Sequence, residues 1–143
     1  MKAKEIAISI RVRHPALSAQ DITGMLNSEP TRGVSVGTNR LSPTGQALEG
    51  TYPETLWIKR LDIQDSSLRN AIETTLAIVE SSPDATVNIS QGGGRVEFFV
   101  GWFVDGNVGD VLPHALLDRI ARLHIDLHFD VYAGRPEDTI RGK

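Results

Sequence analysis

The sequence predicts an α+β fold, a ferredoxin-like sandwich whose mostly antiparallel sheet has helices packed on one face. Three observations carry that expectation. Apolar and polar residues alternate from Ile6 to Arg13 and from Ile125 to Tyr132, the period of strands with one buried face. Other segments carry apolar stripes at helical spacing: Ile22, Met25 and Leu26; Leu68, Ile72, Leu76 and Val79; Leu116, Ile120 and Leu123. Finally, Ile6–Arg13 followed by Leu17–Leu26 is echoed by Val96–Val104 followed by Leu112–Leu123. Two such halves around one sheet suggest the sandwich.

The first strand, Glu5–Arg13, turns Ile6, Ile8, Ile10 and Val12 inward and Ala7, Ser9, Arg11 and Arg13 outward. His14-Pro15 ends it. Ser18 is the expected N-cap of a helix from Ala19 to Asn27, with Asp21 completing the cap. Glu29-Pro30 stops that helix. Residues 31–54 are rich in glycine and proline, and read as a short strand near Gly33–Gly37 followed by a long loop. Loops of that length in compact domains tend to be functional. Thr55–Leu61 is a strand, and Asp65 or Ser66 caps a helix that runs to Ser81 before Pro83. Ala85–Ser90 and Arg95–Asp105 are read as a hairpin turned at Gln91–Gly94. Pro113 opens a third helix at its first position, which leads into the final strand, His124–Tyr132. Residues 1–132 are expected to form a single domain and 133–143 a frayed tail.

The chain has 143 residues, 40% of them apolar and 23% charged, with a net charge of −3 and no cysteine. Its acidic balance argues against nucleic acid as a partner, since phosphate neutralisation needs a local excess of Lys and Arg. The lack of cysteine excludes disulfides, thiolate zinc sites and a cysteine nucleophile. No run reads as a signal peptide or membrane span, so a cytoplasmic location without a membrane partner is expected.

With helices on the Ile6/Ile8/Ile10 side, the other side of the sheet would display Arg11, Arg13, His124, Asp126, His128, Asp130 and Tyr132. The strand Arg95–Asp105 is apolar on both sides. It adds either Glu97, Phe99 and Phe103 or Phe98, Val100 and Trp102, and Trp57 and Lys59 are expected to join from Thr55–Leu61. Arginines beside aromatic rings are the composition of an interface core. A metal would have to use one pair such as His128 and Asp130 with Glu97 from another strand, which is weak spacing evidence, and neither metal nor cofactor is assigned. The Gly92-Gly93-Gly94 run lacks the Lys-Ser/Thr and following helix of a phosphate loop. His14 and His114 are read as surface residues.

A first strand ending in Arg13-His14-Pro15, followed by Asp21-Ile22-Thr23-Gly24-Met25-Leu26 and Glu29-Pro30-Thr31-Arg32, resembles the bacterial domain-of-unknown-function family 4279 (DUF4279). The Gly37–Gly50 segment before Tyr52 and Trp57 adds to the resemblance, as do Phe98-Phe99-Val100-Gly101 and Leu127-His128-Phe129-Asp130-Val131-Tyr132. It spans residues 5 to 132 and implies a compact bacterial α+β domain with no catalytic residues to carry over. It also implies that Pro30, Arg32, Gly37, Trp57, Asp130 and Tyr132 are recurring positions.

These readings converge on a non-catalytic binding protein of the cytosol, an immunity-type partner that occludes a toxin or another cognate protein. Its expected contact set is Arg11, Arg13, Arg32, Trp57, Lys59, Glu97, Phe99, His128, Asp130 and Tyr132. The alternative is a small-molecule or metal-assisted enzyme with a pocket between the 31–54 loop and the sheet, using Arg32, Glu97, His128 and Asp130. A third is a homodimer sealed through the open sheet faces.

Overall fold

Alternation in the first strand organises the molecule. In the computed structural model, which describes residues 5–64 and 66–133, β1 (Ile6–His14) is the middle strand of a sheet of five. Its neighbours are β5 (Thr55–Leu61) and β6 (Arg95–Val104), both antiparallel to it. Outside them lie β2 (Arg32–Val34), antiparallel to β5, and β7 (Ile125–Ala133), parallel to β6. Four helices complete the layer: α1 (Ala19–Leu26), α2 (Leu68–Glu80), α3 (Pro83–Gln91) and α4 (His114–Arg122). Ile6, Ile8, Ile10 and Val12 meet Ile22, Ile72, Leu76, Ile89 and Ile120 in one core, with Trp57, Phe98 and Val100 at its centre.

The order β2-β5-β1-β6-β7 shows how the helices come to share one side. β1 and β2 run parallel with β5 between them, and β5 and β6 run parallel with β1 between them. These are two interlocked split β-α-β units, the arrangement of a ferredoxin-like sandwich. α4 and β7 extend that core by one more parallel crossover. The echo between the β1 and β6 regions therefore pairs the wrong halves. The partner of β1-α1-β2 is β5-α2-β6, and β6-α4-β7 is an addition.

Ala85–Ser90 is helical, not a strand. Pro83 sits at a helix N-terminus, Asp84 follows in the first turn, and Ala85, Thr86 and Ile89 form the buried stripe. Ala85, Val87 and Ile89 alternate as in a strand, but the burial follows helical spacing. No hairpin forms, and the glycines serve a close approach instead. A Cβ at Gly94 would lie 2.6 Å from His14 Cδ2 and 2.7 Å from Arg13 O. His14 is itself buried, with Nδ1 accepting from the backbone N–H of Ala16 and Leu17 at 2.9 Å each. It locks the turn after β1 and is not a surface residue.

Three further expectations are corrected. The segment read as a long loop contains a two-stranded hairpin, β3 (Asn39–Leu41) with β4 (Ala47–Thr51), which stands apart from the main sheet. Ser67, not Ser66, caps α2 by accepting from Asn70 N; Asp65 lies outside the described residues, as does the tail from 134 to 143. His124 precedes β7 with φ of 58°, so the last strand starts one residue later than the alternation suggests. The capping box of α1, Ser18 with Asp21, is present as expected.

Candidate functional site on the open sheet face

Helices cover the row that contains Ile6, Ile8 and Ile10. Among the described residues, none of the four helices contributes to the opposite face, and its content follows from register. One row across the sheet reads Arg32, Ile58, Arg11, Glu97, Asp126. The next reads Arg60, Ser9, Phe99, His128, and the one after it runs from Ala7 through Gly101 to Asp130. Phe103 stands opposite Tyr132. Of the two rows β6 could present, the open one is therefore Glu97, Phe99 and Phe103, while Phe98 and Val100 are buried beneath the helices.

Two expected members lie on the other side. Trp57 pairs in register with Val12 and is fully buried, its Nε1–H donating to Thr23 Oγ1 at 3.0 Å. Lys59 pairs with Ile10, and its ammonium reaches the end of the α1 region, donating to Glu29 O at 3.0 Å. A lysine can occupy the rim of an apolar row because its stem packs while its head reaches polar groups. Leu56, Ile58 and Arg60 face the open side in their place.

The remaining residues divide the face by charge. Arg32, Arg60 and Arg11 occupy the β2-β5-β1 side, and Glu97, Asp126 and Asp130 the β6-β7 side. Arg13 is drawn to the margin by Glu54, at 3.1 Å. On the acidic side the groups satisfy one another. His128 Nδ1 is 3.1 Å from Glu97 Oε2, and the Tyr132 hydroxyl donates to Asp130 Oδ2 at 2.6 Å. That bond and the adjacent carboxylate charge hold the Tyr132 phenol above its ordinary pKa.

Between the two sides run the rings. Phe99 meets His128 edge-on at 4.5 Å, and Phe103 stacks on Tyr132 at 4.8 Å. The Arg11 guanidinium lies 3.8 Å from the centroid of Phe99, a cation–π contact. Arg11 forms no ion pair among the described residues, and its Nε is buried without a hydrogen-bond partner. A buried N–H left in that condition is costly, so it marks a place where a partner would be gained.

Beside these rings the face is concave. A cavity of about 470 Å³ lies over Ala7, Ser9 and Gly101, and Arg11, Arg60, Phe99, Phe103 and Tyr132 are among the residues that line it. Thr31 is what the 31–54 segment contributes. Arg32, Glu97, His128 and Asp130, the set expected around a pocket at that segment, do not line it. Among the described residues no three His, Asp or Glu side chains are grouped as a metal ion would need, and no helix is long and apolar enough to cross a membrane.

Arg60 and Gly101 are the site residues that sequence reading misses. A reversed phase for β5 hides the first. The second is legible in the row Glu97-Phe99-Gly101-Phe103, where a missing side chain between two phenylalanines marks a gap.

No curated protein and no solved structure matches the chain. A family model does, over residues 4–134, a span that takes in every strand of the sheet and each residue named on its open face. The chain belongs to the family described as Domain of unknown function (DUF4279).

Proposed function

We propose that this protein is a non-catalytic binding domain of the cytosol whose open sheet face docks a cognate protein, as an immunity protein occludes a toxin. One observation carries the reading: an arginine without a carboxylate, Arg11, lies against Phe99 at the centre of a face with no helix over it among the described residues. Arginine and aromatic residues in a central patch are what protein interfaces use as anchors. The size also fits. The 38 residues of the five strands, at about 3.3 Å per residue and about 4.8 Å between strands, make a face on the order of 600 Å², near the ~800 Å² that a partner contributes to a standard interface.

Charge supports the same reading. A basic side and an acidic side on one face fix the orientation of a partner with the opposite layout and speed its encounter. The partner is accordingly a protein that brings acidic groups to Arg11, Arg60 and Arg32, and basic groups to Glu97, Asp126 and Asp130.

The test is co-expression with the product of the adjacent reading frame, followed by sizing of the complex and measurement of its affinity. A one-to-one complex is expected, with Arg11→Glu weakening it at least about tenfold while Arg69→Glu on α2 leaves it unchanged. An Arg11→Glu chain that binds as tightly as the parent would overturn the proposal. So would a stable homodimer of the chain alone that Arg11→Glu dissociates, since a second copy would then be the occupant of the face.

A further inference from the structure

The cavity on the open face has a chemistry of its own, and its ligand is inferred independently of the docking reading. Its cause is the side chain missing at Gly101. A Cβ built there would meet Ala7 O at 3.8 Å, Ala7 Cβ at 3.9 Å and Phe103 Cε2 at 3.9 Å, all ordinary van der Waals contacts. The backbone therefore does not require glycine. What glycine does is leave a notch, floored by Ala7 and the buried Ser9 and Gly101, with Phe99 and Phe103 before and after it along the strand. Those two residues are roughly 13 Å apart along β6 at about 3.3 Å per residue, and the Phe103 ring leans toward the notch, its Cε2 3.9 Å from where a Cβ of Gly101 would be, so a flat ring system in the notch would lie against it.

We propose that this notch binds a planar aromatic carboxylate, its rings against Phe99, Phe103 and Tyr132 and its carboxylate on Arg11. The volume, about 470 Å³, lies in the range of small-molecule sites, which are mainly apolar with a few placed polar groups. Arg11 supplies the polar group: its guanidinium carbon lies 3.8 Å from the centroid of the Phe99 ring, and a carboxylate would provide the acceptors it lacks. Arg60, on the neighbouring strand, adds a second positive charge at the rim, where Asp62 accepts from Gln64 Nε2 at 2.7 Å. The rings set the shape, because aromatic faces favour offset or edge-on aromatic partners over saturated ones.

Naphthalene-2-carboxylate is the probe, titrated into the full-length chain and followed by backbone amide shifts in NMR. Saturable one-site shifts at Ala7, Phe99 and Gly101 are expected, with a Kd of about a millimolar or tighter. Naphthalene-2-carboxamide and cyclohexanecarboxylate should each bind at least about tenfold more weakly. Gly101→Leu, which fills the notch where a Cβ is sterically tolerated, should abolish the shifts, and Arg11→Gln should weaken binding at least about tenfold. Arg69→Gln should not change it. Should Gly101→Leu fail to fold, Arg11→Gln and the neutral amide carry the test. Shifts that never saturate, an amide that binds as well as the acid, or a folded Gly101→Leu chain that still binds would each overturn the site. None of these results depends on whether a protein partner exists.

Discussion

Phe98 and Phe99 are neighbours in one strand, yet they do opposite work. Phe98 is fully buried under the helices, among Ile10, Val100 and their neighbours. Phe99 is half-buried on the bare side, holding Arg11 and touching His128. The same ring is a core element on one side of the sheet and a surface for contact on the other. Stability and recognition are thereby separable by one residue step. Phe98→Ala should destabilise the fold by about 3–5 kcal/mol, through lost burial and the cavity left behind. Phe99→Ala should cost about 1 kcal/mol, the scale of a cation–π or edge contact at a part-exposed site. Urea denaturation of both variants measures the gap, and equal losses would erase the distinction between the two sides.

β5 repeats the contrast in a less readable form. Trp57 faces the helices and Ile58 faces the arginines, and both are buried. Ile58 owes its burial to its place in register between Arg32 and Arg11, whose aliphatic stems are the row neighbours that can cover it. Trp57 owes its own to the core, which has to satisfy the indole N–H as well. Thr23→Val removes the acceptor of that N–H and keeps the volume of the side chain. It should cost about 1–3 kcal/mol, the penalty for leaving a buried donor without a partner. Thermal or urea unfolding reads the difference, and a loss of only a few tenths would mean that the indole finds another acceptor on the helix side.

These cases show what sequence alone can tell. β1 and the start of β7 are legible because charged or polar residues alternate with apolar ones, so phase and face follow, but Phe129 and Val131, in the row the alternation would send into the core, are exposed. In β5 the string Thr-Leu-Trp-Ile-Lys-Arg-Leu has apolar residues in both rows, and only the cross-strand pairs Val12–Trp57 and Ile10–Lys59 settle the phase. Arg60 is hidden with it. The segment at residues 85–90 misleads for a related reason: alternate apolar residues imitate a strand where a proline and an aspartate begin a helix. β3 and β4 leave no trace because they are exposed along their whole length, and a strand without a buried face has no period to detect. The open face, most of its contact residues and the gap at Gly101 follow from the alternation; which residues of β1 and β5 wall that gap does not, because it needs the register across the sheet.

Two arginines sharpen the comparison between the layers. Arg119 on α4 is clasped by Glu80 at 2.8 Å and by Glu73 at 3.0 Å, which fastens α4 to α2. Arg11 on the sheet has a ring and no carboxylate. The first is structural, and it leaves a trace in pH dependence. The hydrogen bond from Arg119, more than its charge, holds the Glu80 carboxyl below the usual carboxylate range. A lowered folded pKa means that this contribution is present above the unfolded value and is lost as pH falls through the folded one. Arg119→Ala should therefore lower Tm at neutral pH by more than Arg122→Ala, whose partner is the exposed Asp118. The difference should shrink on acidification below the ordinary carboxylate range, and also in high salt, because these groups are part-exposed. Arg11→Ala should lower Tm only by the ~1 kcal/mol scale of its contacts with the Phe99 ring and Ile58, and by the same amount at every pH and salt concentration. A Tm loss in Arg11→Ala as large as that in Arg119→Ala would make Arg11 another structural clamp.

The smallest effect belongs to Tyr132, at the acidic edge of the face. Its hydroxyl donates to Asp130, and that bond, together with the nearby negative charge, pushes the phenol above the ordinary tyrosine range. The sign is opposite to that of Glu80. A raised folded pKa contributes stability that is complete below the unfolded value and is lost as pH rises through the folded one. Because the pair is exposed, Tyr132→Phe should leave Tm at neutral pH almost unchanged and remove only a shallow alkaline dependence. The ultraviolet titration of tyrosine should show one phenol ionising late, and that late step should vanish in Tyr132→Phe and move down in Asp130→Asn. A late step that survives in both variants would leave the acidic edge with no fixed hydrogen bond. The ring of Tyr132 stacks on Phe103 whichever way its hydroxyl points, so Tyr132→Phe keeps the aromatic wall while it frees the Asp130 carboxylate for a basic partner. Contact through this edge should then be preserved or strengthened in Tyr132→Phe, even as the alkaline signature disappears.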